Sequence, residues 1–361
     1  MERIQVRHIN FAKGFRGGER QTLNLIEGLA EFGIRQALVC HPDSELHARA
    51  KQADIMTLAT LHPVLGHVSL PRFSINHVHE ARGAYWAAIE NSLRRTPYLI
   101  TRRIPNPVSG GTVNSFAYRR AARLVGVSHD VAARLGRQVG RSVASILDSC
   151  SVSSPDQRTV TALRQQLGGG PIIGHVGALH DHHKGQSILI AAFHDLLAHH
   201  PNARLVLLGD GPDKEQFQRL AKGDPRIVFA GFQTDVAPWI AAMDLFVFPS
   251  REEGLGSSVL DAMLLGVPVI TSAAGGLPEL IGRERRRGLM VVLEDPKMWS
   301  EAMSQMLANH DMRARMCAAA QEFARGHDIR AMTKDYLELY RSVIEQQASL
   351  PARTAQQLES R

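Results

Sequence analysis

Short apolar runs alternate with segments of helical periodicity along most of the chain. The apolar runs predict strands at residues 3–9, 36–40, 54–58, 75–78, 98–101, 123–127, 143–147, 171–177, 203–209, 227–231, 245–248 and 267–271. Helical patterns lie between most of these strands, and this alternation is typical of parallel sheets with helices on both faces. Ligands of such sheets bind at the carboxyl ends of the strands, so polar residues there are the first candidates for a functional site.

The helical segments have apolar residues at spacings of three and four. They cover residues 19–33, 113–121, 130–135, 157–167, 186–199, 299–307, 312–324 and 329–344. A glycine-rich loop precedes the first of them, as at the start of a doubly wound domain. Three consecutive glycines follow the helix predicted at 157–167, and we expect the linker between two domains at residues 149–170.

The most informative stretch is 249–271, where a turn leads from a buried strand into a short apolar helix. Ser258 and Asp261 predict a capping box at the start of that helix, whose free N–H groups and dipole favour an anion. Glu253 precedes this anion site and Asp261 lies in the first turns of the helix. A nucleotide sugar, with hydroxyls at both ends of a diphosphate, suits this arrangement. An ordinary strand–loop–helix with surface acids is the alternative.

Composition narrows the class of protein. With 361 residues, 44% of them hydrophobic and 21% charged, the chain is long enough for two globular domains. No apolar run approaches the ~18 residues of a membrane span, and the first ten residues contain no apolar core of a signal peptide. Three scattered cysteines are too few for a disulfide framework or a zinc site, which favours a reduced, cytoplasmic protein.

The net charge of +7 is unevenly distributed along the chain. Residues 1–165 hold 22 Lys and Arg against 12 Asp and Glu, a charge of +10, and the remainder holds 20 against 23, a charge of −3. A basic half of this kind is typical of proteins that bind nucleic acid, an anionic membrane surface or an anionic substrate. The sequence has no aromatic–basic interleaving and no known DNA-binding motif, so we expect no nucleic acid partner. A solvated basic surface without a partner is the alternative.

The stretch 249–271 resembles the E-x7-E motif of the retaining glycosyltransferases of family 4, which have the GT-B architecture. Glu253 stands at the first acid of that motif, and Asp261 stands where the second glutamate usually stands. The resemblance implies that Glu253 holds hydroxyls of the donor sugar and that Asp261 holds the ribose. It also implies a set of residues at the helix start that bind the donor: Gly254, Gly256, Ser257 and Ser258. Further matching residues are Pro249, Ser250, Leu255, Leu260, Ala262, Met263, Gly266, Pro268, Val269 and Ile270.

A second stretch resembles the family's V-G-R-L-x-x-x-K-G sequence and contains Lys184. The resemblance implies that Lys184 contacts the donor diphosphate, although Ala178 replaces the arginine of the family; a solvated surface lysine is the alternative. The neighbouring His180, His182 and His183 suggest a metal, but their spacing fits no standard site. Because the resemblance implies metal-independent transfer, we expect neither a metal nor a cofactor.

Three other positions carry weaker resemblances. Gly17 and Gly18 are similar to the family's G-G-x-E loop, which implies a flexible loop that closes on the donor phosphates or the acceptor. Phe232 follows a strand where the family holds the base of the donor, and Gly276 lies in a G-G-L-P-E stretch whose backbone amides reach the donor. Ordinary turns between strand and helix are the alternative at each position.

Two strand ends in the N-terminal half carry the remaining candidates. Period-2 alternation puts His77 and His79 on one face of a strand. Many family 4 enzymes have a histidine that contacts the donor sugar, and Arg103 occupies its position here. We therefore name both His79 and Arg103 as candidate catalytic residues, with Arg82 near the acceptor. Histidines that are hydrogen-bonded for structural reasons are the alternative.

The resemblance implies an α/β protein of the GT-B fold, in which two Rossmann-like, doubly wound domains face a cleft and a C-terminal helix crosses back to the N-terminal domain. The expected domains are an acceptor-side domain at 1–165, a nucleotide-sugar-binding domain at 166–325 and the returning helix at 326–345. The segment 346–361 has little apolar content and is predicted to be disordered.

The predicted function is retaining transfer of a sugar from a nucleoside diphosphate sugar to a hydroxyl of a glycan or lipid-linked acceptor. The resemblance favours the synthesis of lipopolysaccharide or another cell-surface polysaccharide. We expect a cytoplasmic protein, and contact with an anionic membrane surface at the inner face of the cytoplasmic membrane stays open. A nucleotide-sugar epimerase of the same fold and a non-catalytic nucleotide-sugar-binding subunit are the alternatives.

Overall fold

The computed structural model of the protein describes residues 4–62, 67, 71–108 and 111–359, with side chains at all of these positions except 111–114, 283 and 350–359. Contacts divide the chain into an N-terminal unit, Met1–Ser149 with Ile329–Arg361, and a C-terminal unit, Cys150–Asp328. The domain boundaries predicted from the sequence lie later at the first site, after residue 165, and earlier at the second, after residue 325. The first difference arises because Arg164 donates to both carboxylate oxygens of Asp244 at 3.0 Å, which joins the helix of the predicted linker to the C-terminal unit.

The N-terminal unit contains a sheet of seven parallel strands in the order β3-β2-β1-β4-β5-β6-β7. The strands are β1 (Gln5–Asn10), β2 (Arg35–Cys40), β3 (Met56–Ala59), β4 (Ile75–Val78), β5 (Tyr98–Arg102), β6 (Arg123–Gly126) and β7 (Ala144–Ser145). The central strand β1 pairs with β2 on one side and β4 on the other, and it is buried from Val6 to Asn10. Both faces of β1 are covered, yet the strand is not the continuous apolar run typical of such strands, because Arg7, His8 and Asn10 are buried beside Val6 and Ile9.

Helices cover this sheet, and three apolar clusters of described residues lie between the helices and the strands. They are α1 (Gly17–Glu31), α2 (Glu45–Gln52), α3 (Gly83–Arg94), α4 (Gly111–Arg120), α5 (His129–Val139) and α15 (Ile329–Glu359). Trp86 of α3 packs with Ile9 and Tyr98 of the sheet, whereas Tyr336 of α15 packs with Val6. Helix α15 continues to Glu359 through most of the segment predicted to be disordered. Residues 360–361 lie outside the described residues.

The C-terminal unit contains a second parallel sheet, with six strands in the order β10-β9-β8-β11-β12-β13. The strands are β8 (Ile172–Val176), β9 (Arg204–Leu208), β10 (Ile227–Gly231), β11 (Leu245–Phe248), β12 (Val269–Thr271) and β13 (Leu289–Met290). The strand order reverses between β8 and β11, and their carboxyl ends therefore meet at the switch point where doubly wound sheets bind ligands. The sequence analysis does not predict the two-residue strand β13.

Helices again lie between these strands. They are α6 (Gln157–Gln166), α7 (Asp181–Lys184), α8 (Gln186–Leu196), α9 (Lys214–Leu220), α10 (Ala237–Ala241), α11 (Ser257–Leu264), α12 (Leu277–Ile281), α13 (Pro296–Ala308) and α14 (His310–Arg325), with a 3-10 turn at Arg283–Arg285. One apolar cluster holds the unit together and joins Phe193 of α8, Leu205 of β9 and Trp299 of α13. The prediction of two parallel, Rossmann-like sheets is confirmed. Among the described residues, no helix combines the length and the hydropathy needed to cross a membrane.

Candidate active site

The turn between β11 and α11 begins the candidate site in the C-terminal unit. Gly256 is the N-cap of α11, with a φ of 96°, a left-handed conformation that side-chain-bearing residues rarely adopt. The helix therefore starts at Ser257, and the predicted capping box of Ser258 and Asp261 is wrong. Ser258 lies in the first turn, where its hydroxyl donates to the carbonyl oxygen of Val176 at 3.3 Å. Because Gly256 has no side chain to cap the first N–H groups of α11, they are available to an anionic ligand.

Lys184 and Glu253 come together beside this turn. The Nζ atom of Lys184 donates to Oε2 of Glu253 at 2.5 Å, and the two side chains are 21% and 14% exposed. The ammonium also lies 5.0 Å from the ring centroid of the buried Phe248, in a cation–π contact. Two residues separated by 69 positions thus form a half-buried ion pair at the carboxyl ends of β8 and β11.

Backbone contacts hold the two segments that carry this pair. The carbonyl oxygen of His183 accepts from the N–H of Arg251 at 2.8 Å and from the hydroxyl of Ser250 at 2.8 Å. Gly185 lies so close to the carbonyl oxygen of Pro249 that a Cβ there would come within 2.2 Å of it. These contacts fix the position of Lys184 relative to Glu253 through the main chain.

A third segment, the turn before α12, packs against the same place. Gly275 has a φ of +52°, and a Cβ at this position would lie 1.7 Å from the carbonyl oxygen of Glu253. Leu277 contacts Gly256 closely, since a Cβ on Gly256 would lie 2.7 Å from its Cδ2 atom. The buried Gly276 therefore belongs to the same group of turns as Glu253 and Gly256.

Asp261 is the residue whose surroundings differ most from its predicted role as a ribose ligand. Its side chain is buried, and Oδ1 accepts from the backbone N–H of Ser151 at 2.6 Å. The carboxylate thus already stabilises the first residues of the C-terminal unit. Phe232, predicted to lie near the base of the donor, follows β10 and is 59% exposed.

In the N-terminal unit, Gly17 and Gly18 do not form a loop, since α1 starts at Gly17. The predicted flexible loop here is wrong: the carboxylate of Glu19 accepts from the N–H of Arg16 at 2.9 Å and caps the helix. Gly18 lies close to the side chain of Arg103, with 3.7 Å between a Cβ at Gly18 and the Cδ atom. This brings the start of α1 next to one of the two candidate catalytic residues.

The other candidate, His79, contacts Arg103 within a buried chain of hydrogen bonds. Arg103 Nη1 lies 3.3 Å from Nδ1 of His79, and a guanidinium can only donate, so this nitrogen accepts. The proton of His79 is then on Nε2, which donates to Nδ1 of His8 at 2.9 Å. His8 in turn donates from Nε2 to Oε1 of Gln36 at 3.0 Å, while Gln36 donates to the carbonyl oxygen of Ile26. The contact with Arg103 at one end of this hydrogen-bond chain and the contact with Gln36 at the other therefore require the same tautomers of His79 and His8.

The third histidine of this cluster, His77, is bound to a different set of partners. Its Nδ1 lies 2.7 Å from the hydroxyl of Tyr340 and its Nε2 lies 2.8 Å from the hydroxyl of Thr101. Thr101 also contacts the hydroxyl of Tyr336 at 2.9 Å. The returning helix α15 thus supplies two tyrosines to the polar cluster at the carboxyl end of β4 and β5.

Burial controls the charges in this cluster. It lowers the pKa of His8 to about 4 and lowers the pKa values of His77 and His79 well below 6.5, so all three are neutral at pH 7. Burial also disfavours the charge of Arg103, but Asp148, whose Oδ1 accepts from Nε at 3.1 Å, acts together with Tyr336 and Glu19 to outweigh it, and the pKa of Arg103 is raised. The cluster therefore contains one permanent cation held by one carboxylate.

Sequence reasoning missed several residues of this cluster. His8 occupies a position on β1 that the alternation of the strand could have identified, because it pairs with His77 across the β1–β4 register. Gln36 and Asp148 leave no such signal, since their contacts depend on how distant strands pair. The predicted Arg82 lies at the start of α3, where it is 57% exposed and 3.7 Å from Glu80.

Known proteins resemble this chain in sequence and in fold. Residues 170–309 match the model of the family described as Glycosyl transferases group 1. The lipopolysaccharide core biosynthesis glycosyltransferase LpsE of Rhizobium meliloti is 27% identical over 359 residues, covering 94% of this chain and 99% of that protein. The lipopolysaccharide core biosynthesis mannosyltransferase LpsB of the same organism is 32% identical over 200 residues, covering 50% of this chain and 56% of that protein.

Solved structures share the fold over nearly the whole chain. Anabaena HepE, solved in complex with UDP and glucose, has a TM-score of 0.82 at 19% identity and covers 94% of this chain and 100% of its own. Sucrose-phosphate synthase from Thermosynechococcus elongatus has a TM-score of 0.77 at 19% identity, with coverage of 95% and 100%. The chain is therefore a glycosyltransferase of the GT-B fold, with a glycosyl transferases group 1 domain at residues 170–309.

Proposed function

We propose that this glycosyltransferase moves a sugar from a nucleoside diphosphate sugar to a hydroxyl of a glycan or lipid-linked acceptor, with retention of the anomeric configuration. The observation that carries the proposal is the contact of Lys184 with Glu253 beside the uncapped start of α11. It puts a cation, a carboxylate and free N–H groups at one place, which are the groups that a diphosphate and a sugar need. The solved structure of HepE with UDP and glucose supports a nucleotide-sugar donor.

The chemical problem in this transfer is the departing diphosphate, whose negative charge grows as the glycosidic bond to it breaks. Lys184 and the N-terminus of α11 neutralise that charge, since both are fixed in place before the reaction. In the free protein Lys184 is paired with Glu253; a bound diphosphate carries more charge than one carboxylate and takes over the ammonium. Glu253 is then free to accept hydrogen bonds from hydroxyls of the donor sugar and to position its anomeric carbon.

Retention follows if the acceptor hydroxyl attacks from the side that the diphosphate leaves. In that arrangement the leaving phosphate accepts the proton of the acceptor hydroxyl, so the chain needs no separate general base. Lys184 and α11 supply the positive charge, and we propose that transfer requires neither a resident metal nor a cofactor. Asp261 accepts from the backbone N–H of Ser151 through Oδ1 and so stabilises the segment that packs against α11.

We assign the acceptor to the N-terminal unit, near His79, Arg82 and Arg103. His79 and Arg103 are buried, so they act by shaping the surface around the acceptor, whereas the exposed Arg82 is able to contact it. The similarity to LpsE along 94% of this chain supports an acceptor in lipopolysaccharide core synthesis or a related cell-surface glycan.

A basic surface of the N-terminal unit is suited to an anionic membrane. Exposed Leu93 and Phe116 lie on the neighbouring helices α3 and α4, and the arginines around them are Arg95, Arg119 and Arg120. Arg120 lies over the ring of Phe116, with its Cζ atom 5.3 Å from the centroid. Apolar side chains surrounded by arginine are typical of surfaces that rest on anionic lipid.

The membrane contact is tested by flotation with vesicles that do or do not contain anionic lipid. We expect binding to anionic vesicles only, with release at high salt because the contact is electrostatic. Replacing Arg119 and Arg120 by glutamate should abolish it. Binding that ignores salt, or that persists in this variant, contradicts the assignment.

The donor site is tested with UDP, GDP, ADP and their sugars, first by thermal shift and then by turnover. We expect one base to stabilise the protein and the corresponding sugar to be transferred to a lipopolysaccharide-derived acceptor with retained configuration, read by NMR of the product. The variant Glu253→Gln should keep nucleotide binding and lose turnover, because Gln is neutral and offers one acceptor oxygen where the carboxylate offers two charged ones.

Three outcomes would reject the proposal. Inverted configuration in the product removes the retaining mechanism, and normal turnover of Glu253→Gln removes that residue from it. Release of a free, altered sugar without any acceptor indicates an epimerase instead.

A further inference from the structure

A cluster of metal-binding side chains lies next to the Lys184–Glu253 pair and takes no part in the proposed transfer. His182, His183 and Glu252 each offer one ligand atom, and these atoms lie within 4.8 Å of one another. His182 is exposed, and the side chains of His183 and Glu252 are half-exposed, so solvent reaches the cluster. The sequence shows the two neighbouring histidines but cannot show the third ligand, because Glu252 is 69 positions from His183.

The distances are close to those of a tetrahedral zinc site. Nδ1 of His183 and Oε2 of Glu252 are 3.1 Å apart. Two ligands bound to zinc at about 2.0–2.1 Å in tetrahedral geometry lie roughly 3.3 Å from each other, so this pair needs almost no movement. His182 has to swing by a small amount to bring in the third ligand, which an exposed side chain can do without disturbing the fold.

The main chain holds these ligands in place. The carbonyl oxygen of His183 accepts from the N–H of Glu252 at 3.2 Å as well as from that of Arg251. The ring of His180 stacks on the ring of His183, with centroids 4.6 Å apart, and fixes its orientation. Ligands positioned by such supporting contacts lose less freedom when a metal binds.

We propose that His182, His183 and Glu252 form a site for a borderline divalent transition metal such as Zn²⁺, Co²⁺ or Ni²⁺. Two imidazoles and one carboxylate favour these ions over Mg²⁺ or Ca²⁺, which prefer oxygen ligands alone. Three protein ligands leave at least one position for water. The bound ion joins the segment of Lys184 to the segment of Glu253 without contacting either residue, and so stiffens the two segments.

A second histidine cluster in the described part of the chain fits a metal less well. His8, His77 and His79 also bring ligand atoms within 4.8 Å. However, all six of their ring nitrogens take part in hydrogen bonds, and the permanently charged Arg103 lies 3.3 Å from His79. A divalent ion there would break several buried hydrogen bonds and face a neighbouring cation.

The test is a titration of the tag-free full chain with Co²⁺, followed by its visible absorption, and competition with Zn²⁺. We expect one equivalent of Co²⁺ to bind with the intense bands of a four-coordinate site and Zn²⁺ to displace it. His182→Ala and Glu252→Gln should each weaken binding by at least tenfold. Both changes are at solvent-exposed positions, and Glu252→Gln keeps an acceptor for His183. His310→Ala, at another exposed histidine of the same unit, is the matched control and should change nothing.

Circular dichroism of each variant, recorded before titration, separates loss of ligands from loss of folding. Unchanged Co²⁺ affinity in folded His182→Ala and Glu252→Gln proteins overturns the proposal. So does binding that survives both changes and disappears in a folded His79→Gln protein, because it would assign the metal to the buried histidines. Neither result would affect the donor test of Glu253→Gln, which needs no added metal.

Discussion

Polar side chains gather at the carboxyl ends of strands in both units, but the two clusters are built differently. In the N-terminal unit, His8 and His79 are buried, the side chain of Arg103 is 9% exposed, and hydrogen bonds join the three residues into a chain that ends at Gln36. In the C-terminal unit, Lys184 and Glu253 are half-buried and the neighbouring helix start is uncapped.

This difference separates supporting groups from binding groups. A hydrogen bond between two buried side chains cannot be given to a ligand without leaving a partner unsatisfied, which costs about 1–3 kcal/mol for each neutral group. A partly exposed ion pair loses less when a charged ligand replaces one partner, because the ligand supplies the charge that the other partner needs. The N-terminal cluster therefore sets the shape of its surface, whereas the C-terminal turns supply the groups that contact a donor.

The largest effect is expected from breaking the N-terminal cluster at Arg103. Replacing Arg103 by Met leaves the buried carboxylate of Asp148 without its cation, and breaking a buried pair in this way costs about 3–5 kcal/mol of unfolding free energy. Urea denaturation measures the loss. Arg134→Met is the matched control, since Arg134 pairs with Asp130 at 2.7 Å but is 52% exposed, and it should cost under about 1 kcal/mol.

A double variant sharpens this result. Arg103→Met combined with Asp148→Leu removes both charges, and apolar replacement of a buried pair is often neutral or stabilising. We expect it to recover most of the stability lost in Arg103→Met. If Arg103→Met is as stable as Arg134→Met, the buried pair of Arg103 and Asp148 does not hold the N-terminal cluster rigid.

At Lys184 we expect a large loss of turnover and only a small loss of stability. Lys184→Met removes a fixed positive charge from the departing diphosphate, which should lower kcat by about 10²–10³, equivalent to about 2.7–4 kcal/mol. Stability should change by no more than about 1 kcal/mol, because the pair with Glu253 is partly solvated. Steady-state kinetics and urea denaturation of the same preparation give both numbers. A large loss of stability with little loss of turnover would erase the contrast between the two clusters.

The sequence predicts the C-terminal site better than the N-terminal one, for a physical reason. The groups of 249–271 are close in sequence, and local spacing places Glu253 at the start of a helix. Lys184 comes in through the meeting of β8 and β11, which follows from the doubly wound topology. The N-terminal cluster instead depends on contacts such as that of His8 with Gln36, which arise only when β1 and β2 pair in register.

Two predictions within the motif 249–271 differ from the structure, one for a local reason and one because of a long-range contact. A serine three residues before an acid predicts a capping box, but the preceding glycine adopts a left-handed conformation more readily and takes the N-cap. Asp261 has a predicted ligand role, yet its carboxylate binds the N–H of Ser151, 110 residues away. No local pattern could reveal that contact. Long-range use of a motif residue is what sequence spacing cannot predict.

A buried histidine of the C-terminal unit tests whether burial lowers the pKa of a histidine in either unit. His175 is fully buried, with Nδ1 donating to the carbonyl oxygen of Val247 at 3.0 Å, and burial lowers its pKa from 6.5 to about 4. Between these values the unfolded chain binds a proton that the folded chain does not. Stability therefore falls as pH drops from about 6.5 to 4, by up to about 3 kcal/mol for this residue.

Urea denaturation at pH 7 and pH 4.5 measures this effect. His175→Gln should lose less stability on acidification than the unchanged protein, and His8→Gln should show the same in the N-terminal unit, where burial also lowers the pKa of His8 to about 4. A pH dependence unchanged by either replacement would mean that other groups govern acid unfolding.

The smallest effect concerns the packing of the C-terminal turns. An alanine at Gly275 has to adopt a φ of +52° and would place its Cβ 1.7 Å from the carbonyl oxygen of Glu253. Gly223 has a φ of +72° with no atom within 4 Å of a Cβ, so Gly223→Ala measures the backbone strain alone. We expect Gly275→Ala to lose about 1–3 kcal/mol more than Gly223→Ala, since the turns must move apart. Turnover of Gly275→Ala should fall as well, because the movement displaces Glu253 from Lys184.

Equal stability and full turnover in the two variants would show that these turns are as adaptable as an exposed loop. The packing of the turns would then contribute nothing to the position of Glu253, and only the ion pair with Lys184 would hold it.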